Sequence, residues 1–359
     1  MSLELAVAVA VVALPPETSY DLPLAAAIAL PVGTLPTSCS LGGDGWIACS
    51  SGRNVLSYFN PLENTTTRLA DLVYSIAAAP RGISFAHLLL ASTRVGPLTL
   101  IDADKGSIIT TLAAQNANDE IVHLFASSWS CARYAHAWGG GDSSLYEFDV
   151  SRGCAVSSVN TAASKSKGRI AAIASAPDAS GLIACGNLDS KTVTVFDERS
   201  RRAVCSLNIE DGGGGCTNVR FSPCGRFLYT GYRRQGAVVS WDLRNSQRTL
   251  LRFPRDDSVG QRLGFDVSNH ALVTASRDGS VLIYDVASGA LDVIMKDWIS
   301  PPVDVVFFEG GGAFTVLSGP RHGHTGIDST SSPTSLPMAS SSSLSIWTTL
   351  NDRVSNEKI

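Results

Sequence analysis

The chain has 359 residues, 44% hydrophobic and 17% charged, enough for a sizeable core, and its net charge of −4 excludes a non-specific binder of polyanions. That charge is uneven: residues 165–262 carry 16 Lys and Arg against 9 Asp and Glu, a local +7 that leaves −11 for the remainder. Eight cysteines without a Cys-x-x-Cys pair or zinc-like spacing give no metal motif, and several lie inside apolar runs, as buried reduced thiols of a reducing compartment do.

Taken in chain order, the first element is LELAVAVAVVALP (3–15). It has the apolarity of a secretion signal but no positive charge ahead of it, since the first arginine is Arg53. It is also too short and too proline-bounded to span a bilayer. Leu3, Leu5, Val7, Val9 and Val11 alternate with Glu4 and alanines, which predicts a strand and no membrane partner. A second apolar run follows at 22–30.

From residue 55 a unit repeats: VLSYFN (55–60), LTLID (98–102), SLYEFD (144–149), TVTVFD (192–197), AVVSWD (237–242), SVLIYD (280–285) and LSIWT (344–348). From Asn60 to Thr348 the steps are 42, 47, 48, 45, 43 and 63 residues, the length of four-stranded propeller blades. Ahead of most stands a run ending in small residues, such as IACSS, LIACG or FLYTG, which we assign to inner strands beside a channel. A turn and a more polar strand come after, for example RAVCSLNI (202–209).

The last step is long because HGHTGIDSTSSPTSLPMASSSS (322–343) is inserted, a composition that predicts disorder. Nine residues after Leu350 leave little for an outer strand, so one N-terminal run, 3–12 or 22–30, is expected to supply it and close the ring. The expected fold class is all-β, a seven-bladed β-propeller closed by an N-terminal strand. The expected organisation is an N-terminal segment over 1–36, the propeller over 37–350 and a short tail over 351–359.

In such a fold the loops between the two middle strands of every blade emerge on one face. Those loops hold Arg53, Arg94, no base in GGGDS (139–143), Lys191, Arg233 with Arg234, Arg277, and Arg321, so six of seven are basic. Closely set guanidinium groups repel one another until an anion lies between them, and their forks match phosphate. Tyr232 beside Arg233 offers a surface for stacking a base. RNA and an acidic protein segment would both satisfy such a rim. Trp241-Asp242 reads as structural, the Trp filling space between blades and the Asp favouring a turn. The glycine-rich EDGGGGC (210–216) lacks the following Gly-Lys-Ser/Thr of a phosphate loop. His322 and His324 have no third ligand nearby, and no G-x-S-x-G or H-E-x-x-H occurs. No catalytic residue, metal or cofactor is expected.

Three stretches go further. TSCSLGGDGWIACSSGRNVLSYFNPLE (37–63), LLLASTRVGPLTLIDADKGSIITTLAAQNANDE (88–120) and NVRFSPCGRFLYTGYRRQGAVVSWDLRNS (218–246) with GQRLGFDVS (260–268) resemble, in order, blades one, two, five and six of the telomerase Cajal body protein family of WD-repeat proteins. The Trp-Asp-Leu-Arg at 241–244 is the most family-specific part, and Arg244 belongs to it. The chain departs at Asn116-Ala117, where the family has Asn-His, and at Ile101 and Phe196, where it has Trp. The resemblance implies a WD-repeat propeller that recognises a loop motif in H/ACA-type small nuclear or Cajal-body RNAs and in telomerase RNA. It implies core proteins of those particles and telomerase reverse transcriptase as partners, and the nucleus (the Cajal body) as location, with the cytoplasm as alternative. Under it Arg53, Arg94, Lys191, Tyr232, Arg233, Arg234, Arg244, Arg277 and Arg321 are the candidate RNA contacts. The other reading is a generic WD-repeat scaffold that binds acidic peptides or partner subunits.

Overall fold

The computed structural model describes residues 7–13, 24–30, 36–41, 47–51, 55–59, 64–80, 86–133, 135–161, 168–209, 213–257, 260, 262–296, 298, 301–308 and 311–319. All regular elements among them are strands. β1 (Val7–Ala13) and β2 (Leu24–Leu30) pair antiparallel near the N-terminus. The first sheet in chain order follows, with β3 (Pro36–Leu41), β4 (Ile47–Ser51), β5 (Val55–Phe59) and β6 (Asn64–Arg68). The second has β7 (Val73–Ala78), β8 (Leu88–Thr93), β9 (Leu98–Asp102) and β10 (Ser107–Leu112). The third has β11 (Ala126–Trp129), β12 (His136–Gly140), β13 (Ser144–Asp149) and β14 (Cys154–Asn160).

The fourth sheet comprises β15 (Ile170–Ser175), β16 (Leu182–Asn187), β17 (Thr192–Asp197) and β18 (Arg202–Asn208). In the fifth are β19 (Cys216–Phe221), β20 (Phe227–Tyr232), β21 (Ala237–Asp242) and β22 (Arg252–Pro254). The sixth takes β23 (Phe265–Val267), β24 (Ala271–Ala275), β25 (Val281–Asp285) and β26 (Leu291–Met295). Finally β27 (Pro302–Phe307) and β28 (Ala313–Ser318) join the N-terminal hairpin in the order β2-β1-β28-β27. The described strands thus make seven four-stranded antiparallel sheets, an arrangement consistent with a β-propeller.

Packing between sheets explains the sequence pattern. The first strand of each sheet lies against that of the next, β3 on β7, β7 on β11 and so on to β23 on β27, while β27 lies against β3. Seven apolar clusters fill the interfaces. Between the fourth and fifth sheets, for instance, Val193, Val195 and Leu207 meet Val219, Leu228 and Trp241. The third strands β9, β17 and β21 are buried on both faces, which is why their runs read as nearly continuous apolar sequence. Fourth strands are mostly exposed, as in β18, and hence polar.

Trp241 is 1% exposed and donates its indole N–H to the Thr230 hydroxyl at 2.9 Å. Asp242 accepts the Arg244 amide at 3.0 Å, and Asp102, Asp149, Asp197 and Asp285 each accept an amide three residues on. One carboxylate at the end of the third strand therefore sets the outer turn in five sheets. Of the cysteines, Cys39, Cys49, Cys185 and Cys216 are buried, whereas Cys154 and Cys224 are exposed.

Two expectations need correction. The runs ending in small residues form second strands (β4, β8, β16, β20, β24), one place out from the innermost, because the first strands make the sheet-to-sheet contacts. And both N-terminal runs, not one, complete the last sheet: β1 takes the third place, beside β28, and β2 the fourth. Residues 344–348, assigned that third place from sequence, lie outside the described residues, as does the segment 322–343.

Candidate functional site

The turn between the second and third strands meets the chain segment that enters the same sheet, and backbone hydrogen bonds tie the two. The Arg94 amide donates to Leu72 O at 2.8 Å, Leu188 to Arg169 O at 2.8 Å, Arg233 to Gly215 O at 3.1 Å, Arg277 to Asp256 O at 2.8 Å and Gly319 to Pro301 O at 3.0 Å. One face of the molecule therefore carries two sets of loops. The middle-strand turns hold Arg94, Lys191, Arg233, Arg234 and Arg277, which the structure brings to this common face. Arg53 and Arg321 lie outside the described residues.

Arg94 is exposed, with Nε 3.3 Å from Asp71 Oδ2. Arg234 is exposed and holds a left-handed φ of 56° in the tight turn into β21, which Gly236 (φ 72°) completes. The buried carboxylate of Asp257 lies beneath the arginine-bearing turn, where the backbone amides of Arg234 and Gln235 favour its charged form.

Two of the predicted contacts fall away. Tyr232 is 1% exposed and packs in the cluster between the fourth and fifth sheets, so it offers no face for stacking. β20 is buried on both sides, and the position next to an exposed turn still points inward. Arg244 sits at the opposite end of β21 from Arg233, and its Nε donates to Asp242 Oδ1 at 3.0 Å.

The second set of loops brings residues that sequence reasoning missed. Arg169, just ahead of β15, binds Asp189 through Nη2 to Oδ1 at 2.9 Å and Nε to Oδ2 at 3.2 Å, and its own amide reaches Oδ2 at 3.0 Å. This fork raises the Arg169 pKa and holds the Asp189 carboxyl below its usual range. Arg233 is half-buried, and among the described residues its guanidinium has no carboxylate within ion-pair distance; its Nε is buried without a hydrogen-bond partner. Burial, then the charge of Arg169, lower its pKa; the Asp189 carboxylate pulls it the other way, and Arg234 lowers it a little further. Arg262 Nη2 stands 3.7 Å from Asp304 Oδ2, and its Nε is buried with no hydrogen-bond partner among the described residues.

Arg169, Arg233 and Arg262 line one cavity of about 430 Å³ together with Tyr74, Phe125 and Leu188. It opens where the first strands begin, on the arginine-bearing face. A second cavity of about 300 Å³, lined by hydroxyls of Ser75, Ser127, Ser128 and Ser175 and by Arg220, lies along those strands and shares Arg262. Three guanidinium groups, two buried N–H donors without acceptors among the described residues and an aromatic wall suit an anion that carries a flat group.

The site depends on a close backbone approach. A Cβ on Gly215 would fall 1.7 Å from the Leu188 carbonyl oxygen, and the Gly215 carbonyl accepts the Arg233 amide. Gly215→Ala must push two backbones apart and is expected to lower stability by about 2 kcal/mol or more. Denaturant unfolding checks this; an unchanged midpoint would contradict so close an approach.

A pH effect follows from Asp257. Burial pushes its carboxyl up to about 6, against the pull of Arg255 and the turn amides. An unfolded Asp titrates near about 3.9, so the folded chain binds the extra proton between those values. The stability this proton gives is complete below about pH 4 and lost as pH rises through about 6. Measured against Asp257→Asn, which cannot titrate, the wild type should therefore lose unfolding midpoint steadily as pH rises over that window. A pH-independent difference would refute the assignment.

The fold and site define an all-β protein of propeller-like sheets with a cationic, aromatic-walled cavity on one face. Sequence comparison adds the particular relatives. The chain is 29% identical to telomerase Cajal body protein 1 of Mus musculus over 210 residues, 56% of this chain and 38% of that protein. The Homo sapiens protein of that name gives 28% over 203 residues, 54% of this chain and 36% of the relative, and the Drosophila melanogaster homolog 26% over 208 residues. The chain thus spans well under half the length of these curated relatives. No protein-family model matches. The resemblance read from the blade motifs is borne out: over somewhat more than half its length this chain is a relative of the telomerase Cajal body proteins.

Proposed function

We propose that the chain is a closed, seven-bladed WD-repeat propeller that binds single-stranded loops of small nuclear RNAs and acts without catalysis. The observation that carries this reading is the cavity lined by Arg169, Arg233 and Arg262, where Arg233 has no carboxylate partner among the described residues. The exposed Arg94, Arg234 and Arg277 around it extend the cationic surface for phosphates. The names of the relatives support a link to telomerase and to the nuclear Cajal body; H/ACA-type Cajal-body RNAs and telomerase RNA are the RNAs that the family resemblance implies. Core proteins of those particles and telomerase reverse transcriptase are the proposed protein partners. A loop, not a duplex, fits a surface that combines aromatic faces with guanidinium groups, since unpaired bases can be splayed out and stacked.

The test is a titration of purified protein against hairpin RNAs in rising salt. The reading predicts loop-sequence preference and an affinity that falls linearly on a double-logarithmic salt plot. Binding of acidic peptides with no RNA affinity would replace it with the scaffold reading.

A further inference from the structure

We propose that the cavity takes one unstacked nucleotide of the bound RNA, its phosphate between Arg169 and Arg233 and its base against Tyr74 and Phe125. This rests on the RNA-binding reading and assigns a distinct task to one pocket within it. The cavity is two-sided. Tyr74 on β7 and Phe125 just before β11 come from the second and third sheets, while Arg169, Arg233 and Arg262 come from segments entering or turning in the fourth, fifth and sixth. A phosphate alone would need only the cationic side, and a peptide carboxylate would leave the aromatic side unused.

The donors are suitably placed for a phosphate. Asp189 occupies Nε and one Nη2 proton of Arg169, which leaves its other guanidinium protons for a second acceptor. Arg233 brings a half-buried guanidinium whose buried Nε has no hydrogen-bond partner among the described residues. Asp189 offsets only part of the repulsion among Arg169, Arg233 and Arg234, and a phosphate placed among them would relieve the rest. Tyr74, on the first strand β7, is 39% exposed, which keeps its ring within reach of a base. The volume of about 430 Å³ falls in the range of small-ligand sites, roughly 300–1,000 Å³, and admits one nucleotide but no base pair stacked in a helix.

The experiment uses the full chain and a hairpin RNA selected for binding from a pool with a randomised loop. Each loop position is replaced in turn by an abasic nucleotide, and affinity is read by fluorescence anisotropy for the wild type, Tyr74→Leu, Phe125→Leu, Arg233→Gln and the rim control Arg94→Gln. With the wild type, one loop position should lose about tenfold in affinity when its base is removed. That loss should vanish in Tyr74→Leu and Phe125→Leu but persist in Arg94→Gln. Arg233→Gln should weaken every RNA about equally while keeping the positional effect. Circular dichroism confirms that each variant is folded. Equal losses at all positions, the same in wild type and Tyr74→Leu, would overturn the nucleotide pocket while RNA binding stands. Failure to select any RNA with the wild type would overturn both.

Discussion

Replacing Arg233, Arg234 and Arg277 together with glutamate should weaken binding of a loop-bearing RNA by about a hundredfold or more. All three side chains stand on the face where the turns between second and third strands meet the segments entering each sheet. A hydrogen bond to a charged group is worth about 1.5–3 kcal/mol, and about 1.4 kcal/mol is a factor of ten, so losing even two of three such contacts reaches that size. Glutamates there add repulsion to the loss. The salt dependence should change as well: at about 0.7 per phosphate contact on a single strand, three lost contacts flatten the slope by about two. The fold should be unharmed, because Arg234 and Arg277 are exposed and Arg233 only half-buried. Anisotropy titrations at several salt concentrations measure both quantities. Unchanged affinity and slope in a folded variant would remove this face from the function.

The second large effect lies on the opposite side. Glu147 on β13 is wholly buried and is shared by four partners. Arg133 binds one carboxylate oxygen together with His136 Nδ1 at 2.9 Å, while the Ser157 hydroxyl at 2.6 Å and Arg201 Nη2 at 3.2 Å donate to the other. Arg201 belongs to the fourth sheet, so this carboxylate fastens the third sheet to the fourth. Ser130 makes a parallel link, donating to Glu198 at 2.7 Å.

Burial alone would raise the Glu147 pKa, but the hydrogen bonds from Ser157 and Arg133 and the charges of Arg133 and His136 hold it below the ordinary value. Glu147→Ala leaves those donors without their common acceptor and should destabilise the chain by about 3 kcal/mol. The stability that Glu147 supplies is present above the unfolded value of about 4.3 and is lost as pH falls through its lower folded value. Urea unfolding at neutral pH should therefore show the full difference, and at strongly acid pH little of it. RNA affinity of the folded fraction should stay unchanged, since no part of this cluster borders the cavity. A destabilisation below about 1 kcal/mol at neutral pH would mean that the ion cluster holds nothing together.

Much of this was legible in the sequence because the repeat is local. Six of the seven aligned runs fall on third strands, from β5 to β25, and the aspartates that end five of them set the outer turns. Burial on both faces keeps runs such as β9, β17 and β21 largely apolar, and this is the signal that makes the repeat visible. The composition of the last sheet was less legible. β1 pairs with β28, across almost the whole chain, and the identity of a distant strand partner leaves no mark in either run.

The site was half legible for a related reason. Arginines in equivalent turns could be aligned, so Arg94, Arg233, Arg234 and Arg277 were found. Arg169 and Arg262 sit in connections of irregular length that have no register to align, and Tyr74 lies at the start of a first strand. A search of the connections entering each sheet, which share the face, would have found Arg169. Tyr232 misled because adjacency to an exposed turn was read as exposure, whereas a strand packed on both faces buries its last residue too.

The central claim is that the arginine-bearing face binds RNA, and crosslinking in the protein's own cells tests it most directly. Wild-type protein and the Arg233→Glu/Arg234→Glu/Arg277→Glu variant are crosslinked to RNA, recovered, and the retained RNA is sequenced. Hairpin guide RNAs or telomerase RNA should be enriched with the wild type and lost with the variant. Equal enrichment with both, or no enrichment with either, would contradict the claim.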